Sequence, residues 1–70
     1  MEPVLIEKNL RETYRIGWEV YQGNRFIDFR IYFDDGSGEL KPTKKGMSIK
    51  ASAIPEIVQA LEAMARGGAQ

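Results

Sequence analysis

The chain reads as an α+β domain, four antiparallel β-strands followed by one C-terminal helix (ββββα), and three observations predict it. Residues 14–21 and 25–33 alternate between apolar and other side chains, the period of half-buried strands. A shorter alternation follows a glycine-rich loop at 44–50, and residues 51–66 then switch to the three-and-four spacing of an amphipathic helix. One helix covers only one face of such a sheet, so the other face must be explained separately.

Val4-Leu5-Ile6 is β-prone and makes a first strand, whereas Glu7 to Thr13 carries no clean pattern. In the next strand Tyr14, Ile16, Trp18 and Val20 form the apolar side, with Arg15, Gly17, Glu19 and Tyr21 opposite. In the third, Ile27, Phe29, Ile31 and Phe33 are apolar, with Phe26, Asp28, Arg30 and Tyr32 opposite. Gly23-Asn24 between them predicts a two-residue type II′ hairpin with a positive φ at the glycine. Asp34 to Gly38 is a loop by composition, and the last strand, Lys44 to Lys50, turns Met47 and Ile49 inward. On the helix, Ile54, Ile57, Val58, Leu61, Met64 and Ala65 form one stripe. Ser52 is the expected N-cap, Pro55 fits the first turn, and Gly67-Gly68 ends the helix. This outline gives one domain over 1–66 and a flexible tail over 67–70.

Seventy residues bury only roughly 60% of the surface the unfolded chain exposes, so stability is marginal. With no cysteine or histidine, disulfides and a structural zinc are excluded, and self-association is the remaining support. A homodimer is expected, with Ile57, Val58, Leu61 and Met64 buried partly by their own sheet and partly by a second copy. No apolar run approaches the ~20 residues of a membrane span, and Met1 to Ile6 is too short for a signal peptide. A cytoplasmic protein without membrane contact is therefore expected. Nothing marks a catalytic triad, a nucleotide loop or a cofactor motif, and no cofactor is expected. Asp34 to Glu39 lacks the alternating ligands and distant glutamate of a calcium loop, so it reads as a plain turn. Catalysis is not expected.

Ten basic and ten acidic residues cancel, which disfavours coating nucleic acid by bulk charge. The distribution is uneven, because Lys41, Lys44, Lys45 and Lys50 fall in a stretch free of acids. Beside them, the face left open by the helix carries Arg15, Glu19, Tyr21, Phe26, Arg30 and Tyr32. Taken singly, such rings are ordinary cross-strand or subunit contacts, and such lysines are ordinary solvated edge residues. Together they suit a single-stranded nucleic acid, whose bases stack on rings and whose phosphates need cations. RNA binding or protein recognition through the same face are the rival readings. An RNA-recognition motif is disfavoured because it needs two helices.

From about Tyr14 to Leu61 the chain resembles the positive cofactor four family, a single-stranded DNA-binding domain of transcriptional coactivators. The resemblance runs through Tyr21-Gln22-Gly23-Asn24, Ile27-Asp28-Phe29-Arg30, Tyr32-Phe33, the turn Gly38-Glu39-Leu40-Lys41-Pro42, and Lys44-Lys45-Gly46-Met47-Ser48-Ile49. It implies a curved four-stranded sheet and C-terminal helix, dimerised to present paired channels for single-stranded or melted DNA. It also implies that Tyr21 and Phe33 stack on bases while Arg30 and the turn lysines Lys41, Lys44 and Lys45 hold phosphates. Arg15 joins them from the open face, and Arg25 is expected to replace the lysines that often flank the hairpin glycine in the family. Phe33 stands where the family has a larger tryptophan. It also alternates with the core set, so its stacking role calls for a bulge or twist at the strand end. The serine-rich and lysine-rich tail of eukaryotic coactivators is absent, so DNA binding is implied and coactivation is not. A short chain of this type resembles bacterial and phage members, nucleoid-associated in a bacterium. Its expected setting is the transcription, replication or repair machinery.

Overall fold

The computed structural model describes residues 2–68 and contains one sheet of four strands in sequential order. β1 spans Val4–Glu7, β2 Glu12–Tyr21, β3 Asn24–Asp34 and β4 Leu40–Lys50, with every neighbouring pair antiparallel. A 3₁₀ turn at Ala51–Ala53 leads into helix α1, Ile54–Ala63, and Met64–Gly68 closes the chain as a wider turn. The ββββα order expected from the hydrophobic periods is the order observed. Residues 69–70 of the expected tail lie outside the described residues.

Residues directly opposite in an antiparallel ladder point to the same side of a sheet. The pairs Tyr14–Ile31, Ile16–Phe29 and Trp18–Ile27 therefore share one side, which Ile49 and Met47 extend by pairing with Ile27 and Phe29. An apolar groove of about 170 Å³ is lined on this side by Ile16, Ile27, Phe29 and Ile49 of the sheet and Ile54, Ile57, Val58 and Leu61 of the helix. Tyr14 and Phe29 meet edge to face with ring centroids 6.0 Å apart, a geometry that suits the ring quadrupoles.

The apolar sets face the helix side as the alternation requires, yet among the described residues no apolar side chain is fully buried. Met47, expected to point inward, sits on the helix side but remains 62% exposed, since a ten-residue helix does not reach it. Val58, Leu61 and Met64 stay 45%, 56% and 56% exposed. The radius of gyration is 13.9 Å, whereas a compact domain of this length has roughly 11 Å. A single chain is thus an open platform with its apolar side half covered.

Three local expectations are corrected. The hairpin turn is Gln22-Gly23 rather than Gly23-Asn24, because Tyr21 pairs with Asn24 and both turn residues have positive φ, 52° and 81°. That is the type I′ pattern, whose twist matches the flanking strands, rather than II′. Ser52 does not cap the helix: it lies inside the 3₁₀ turn, and Ala53 precedes the first turn without a side-chain cap. Pro55 does occupy that first turn, and Gly67, at φ 101°, takes the left-handed conformation that stops the helix.

The third correction matters most for function. β4 begins at Leu40, paired with Asp34, rather than at Lys44, so Lys41 joins Lys44 and Lys45 on an edge strand and does not stand in a turn. Pro42 is accommodated there because an edge strand has one side free of ladder bonds. The β3–β4 register breaks between Arg30, opposite Gly46, and Tyr32, opposite Pro42, leaving Thr43, Lys44 and Lys45 to face Ile31 alone. This is a special bulge in β4, three residues opposite one.

Beyond the bulge, Gly46 lies tight against β3: a Cβ there would fall 2.7 Å from the Phe29 carbonyl oxygen and 2.9 Å from the Arg30 Cα. Gly46→Ala should therefore lower stability by roughly 1–3 kcal/mol, the usual range for overpacking. Urea unfolding reads this as a lower midpoint, and a midpoint equal to wild type would contradict the close packing of β4 on β3.

Candidate nucleic-acid interface

On the open side the ladder sets out, from hairpin to far end, Tyr21, Phe26, the Asp28–Arg30 pair, Arg15 and Tyr32. Tyr21, at the hairpin tip, is 67% exposed. Arg15 places its guanidinium 5.2 Å from the centre of the Tyr32 ring, across the β2–β3 pair. A cation held on an aromatic face keeps both groups available to a ligand, since the ring's second face and the guanidinium's N–H groups remain.

Arg30 is held from two directions. Its Nε donates to both Asp28 carboxylate oxygens, at 3.1 and 3.3 Å, and its Nη1 donates to the Thr43 carbonyl at 2.9 Å. The second contact ties the arginine of β3 to the bulge carrying Lys44 and Lys45. Lys44 has no ion-pair partner among the described residues. Lys45 lies 3.9 Å from Glu12, a distance at which an exposed pair contributes little.

Phe33 does not cross to the open side. β3 runs against β2 without a slip, so Phe33, paired with Glu12 and Lys41, keeps the side of Ile31, and the irregularity that could have turned it lies in β4. The structure therefore gathers Phe33, Lys41, Lys45 and the bulge at the far end of the sheet, with Arg30 reaching the same bulge. Tyr21 stands about nine ladder positions away, roughly 30 Å along the strands. Arg25 also departs from the expected cluster. It pairs with Val20 on the helix side, and its guanidinium lies 4.2 Å from the centre of the Trp18 ring.

Several residues that shape this region were not singled out by pattern. Asn9 locks the β1–β2 turn, its Oδ1 accepting from the Arg11 and Glu12 amides at 3.0 and 2.9 Å and its Nδ2 donating to Glu12 at 2.8 Å. An asparagine ahead of a strand is the available signal for such a turn. Glu12 also receives Lys8 at 3.2 Å. The hydrogen bonds from Asn9 and Lys8, with the charges of Lys8 and Lys45, hold its carboxyl below the ordinary range. In the β3–β4 loop Asp34 and Asp35 accept from the amides of Gly36 and Ser37, at 2.8 and 3.0 Å. Asp35 also takes Lys41 at 2.9 Å. A phosphate approaching Lys41 must compete with that carboxylate.

With the geometry in place, the comparisons define the class. The family model described as Transcriptional Coactivator p15 (PC4) matches residues 8–60, which take in β2, β3, β4 and most of α1, and the chain belongs to that family. Among solved structures, the PC4 homolog BPSL1147 from Burkholderia pseudomallei K96243 is 29% identical, with a TM-score of 0.86 over 93% of this chain and 88% of that one. Its tetragonal crystal form gives 26% identity and a TM-score of 0.81, over 91% and 96% of the two chains. MoSub1, solved as a complex with DNA, is 26% identical, with a TM-score of 0.58 over 93% of this chain and 86% of that one. No curated protein matches significantly.

The Lys41–Asp35 contact yields a pH prediction. The Lys41 hydrogen bond, followed by those from Ser37, lowers the Asp35 carboxyl from 3.8 to about 2. A depressed folded value means that the contribution of the pair is complete above the unfolded carboxyl range and is lost as pH falls through about 2. Carbon-13 NMR of the Asp35 carboxyl should show that low midpoint, rising toward the ordinary value in Lys41→Ala. A midpoint that Lys41→Ala leaves in place would show that the lysine is not its cause.

Proposed function

We propose that the chain is a homodimeric, largely sequence-independent single-stranded DNA-binding protein acting in transcription, replication or repair. The observation that carries this reading is the convergence of Arg30 and the lysine-bearing bulge of β4 at one end of an aromatic sheet. Family membership and the DNA complex of MoSub1 support it. In this reading Arg15, Arg30, Lys41, Lys44 and Lys45 contact phosphates, and Tyr21 and Phe33 stack on bases. Arg25, drawn over Trp18, and Phe33, which keeps the helix side of the sheet, are the weakest fits of the expected contacts. The half-covered helix side, with Ile57, Val58, Leu61 and Met64, receives the second copy, and the dimer doubles the platform.

The test is a titration of labelled oligothymidine at several salt concentrations. Binding should weaken linearly in log salt, with a slope of about −0.7 per phosphate neutralised on a single strand. Matched RNA, titrated alongside, separates the DNA reading from the RNA one, and duplex DNA should bind weakly. A salt-independent affinity would contradict phosphate contact, and tighter binding of RNA would reassign the ligand.

Two substitutions apportion the site. Replacing Lys44 and Lys45 together by glutamate should weaken binding and flatten the slope by about 0.7 for each phosphate no longer neutralised, with the fold spared because both side chains are exposed. Unchanged affinity in the folded double variant would remove these lysines from the interface. Tyr21→Ala should cost roughly 1–3 kcal/mol of binding, the range for a stacking ring. Intact affinity with a lower melting temperature would make Tyr21 a packing residue instead.

A further inference from the structure

The bulge in β4 leaves backbone groups without ladder partners, and one side chain serves two of them. The Thr43 hydroxyl donates to the Ile31 carbonyl at 2.8 Å and accepts from the Lys45 amide at 3.1 Å. Within the paired stretch Phe26–Asp34, Ile31 has no direct partner in β4, so this hydroxyl stands in for the missing ladder bond. The Thr43 carbonyl in turn accepts from Arg30 Nη1 at 2.9 Å. Thr43 thus touches both the strand that carries Arg30 and the stretch of backbone that carries Lys44 and Lys45.

We infer that Thr43 is a positioning residue for phosphate binding, setting Arg30, Lys44 and Lys45 in one fixed arrangement before the strand arrives. This rests on the single-stranded DNA reading above.

The chemistry explains why position matters. A guanidinium has five N–H donors. With Nε on Asp28 and one Nη1 hydrogen on Thr43, Arg30 keeps Nη2 and the second Nη1 hydrogen for a ligand. An arginine pinned at both edges loses little further freedom on binding, which is how a preorganised group gains affinity. Three consecutive residues opposite one would otherwise be the most mobile part of β4, and lysines on a mobile segment must be ordered when the phosphates bind. The hydroxyl closes the bulge through a local side-chain-to-backbone bond two residues on, a contact open to threonine and serine but not to valine.

The test compares Thr43→Val, which keeps the shape and removes the hydroxyl, with Thr43→Ser, which keeps the hydroxyl. Each is titrated with labelled oligothymidine over a salt series, and the exchange of the Lys45 amide is followed by NMR. Thr43→Val should bind about tenfold more weakly, with a slope shallower by about 0.7 or more, and should expose the Lys45 amide to exchange. Thr43→Ser should restore the affinity, the slope and the protection. A folded Thr43→Val with wild-type affinity and slope would overturn the inference, whatever its melting temperature. If Thr43→Val does not fold, Thr43→Ser decides: wild-type binding with a protected Lys45 amide supports the role, and a folded serine variant that loses the slope overturns it. Failure of the wild type itself to bind oligothymidine would refute the single-stranded DNA reading, and the Lys45 exchange would still report the hydroxyl's hold on the bulge.

Discussion

Apolar surface that one chain cannot cover is the constraint on which the rest of this structure depends. Three strands of ten or eleven residues present Tyr14, Ile16, Trp18, Ile27, Phe29, Ile31 and Ile49 on one side, and among the described residues a helix of ten residues is the one long element laid over them. The groove between helix and sheet is lined wholly by apolar side chains, and no apolar side chain among the described residues is fully buried. At roughly 25 cal/mol for each Å² withheld from water, such a surface gives a small domain its main route to added stability. Our reading is that a second copy supplies the cover. The open side, which carries the polar and aromatic residues, is then left free for a ligand.

The open side depends in turn on a defect in regular pairing. Lys41 stays opposite Phe33 on the helix side, whereas the bulge at Thr43 to Lys45 carries Lys44 and Lys45 to the point where Arg30 reaches across. Local charge is balanced in the same region. Lys41 with Asp35, Lys45 with Glu12 and Arg30 with Asp28 compensate one another in the free chain, consistent with a net charge of zero. A strand of phosphates would compete with these carboxylates at Lys41, Lys45 and Arg30, whereas Lys44 has no ion-pair partner among the described residues.

Much of this was legible in the sequence, for identifiable physical reasons. The two-residue period of β2 and β3 reflects burial on one side only, and the helical stripe from Ile54 to Met64 reflects the same groove seen from the helix. The hairpin was located but shifted by one residue, because both Gln22-Gly23 and Gly23-Asn24 contain a glycine able to take positive φ and only the Tyr21–Asn24 pairing separates them. The start of β4 was hidden because Pro42 and the bulge erase the alternation that announces a strand. For the interface, residue types were legible and sides were less so. Arg25 has the residue type of a phosphate contact but lies over the Trp18 ring, and Thr43 carries no pattern in the sequence, since its position comes from facing Ile31 across a broken register.

The central claim, that a second copy covers the helix side, is tested most directly by molar mass in solution. Multi-angle light scattering of the wild-type chain at micromolar concentration should give twice the 7.9 kDa of one chain. A chain that remained folded at 7.9 kDa under those conditions would contradict the account.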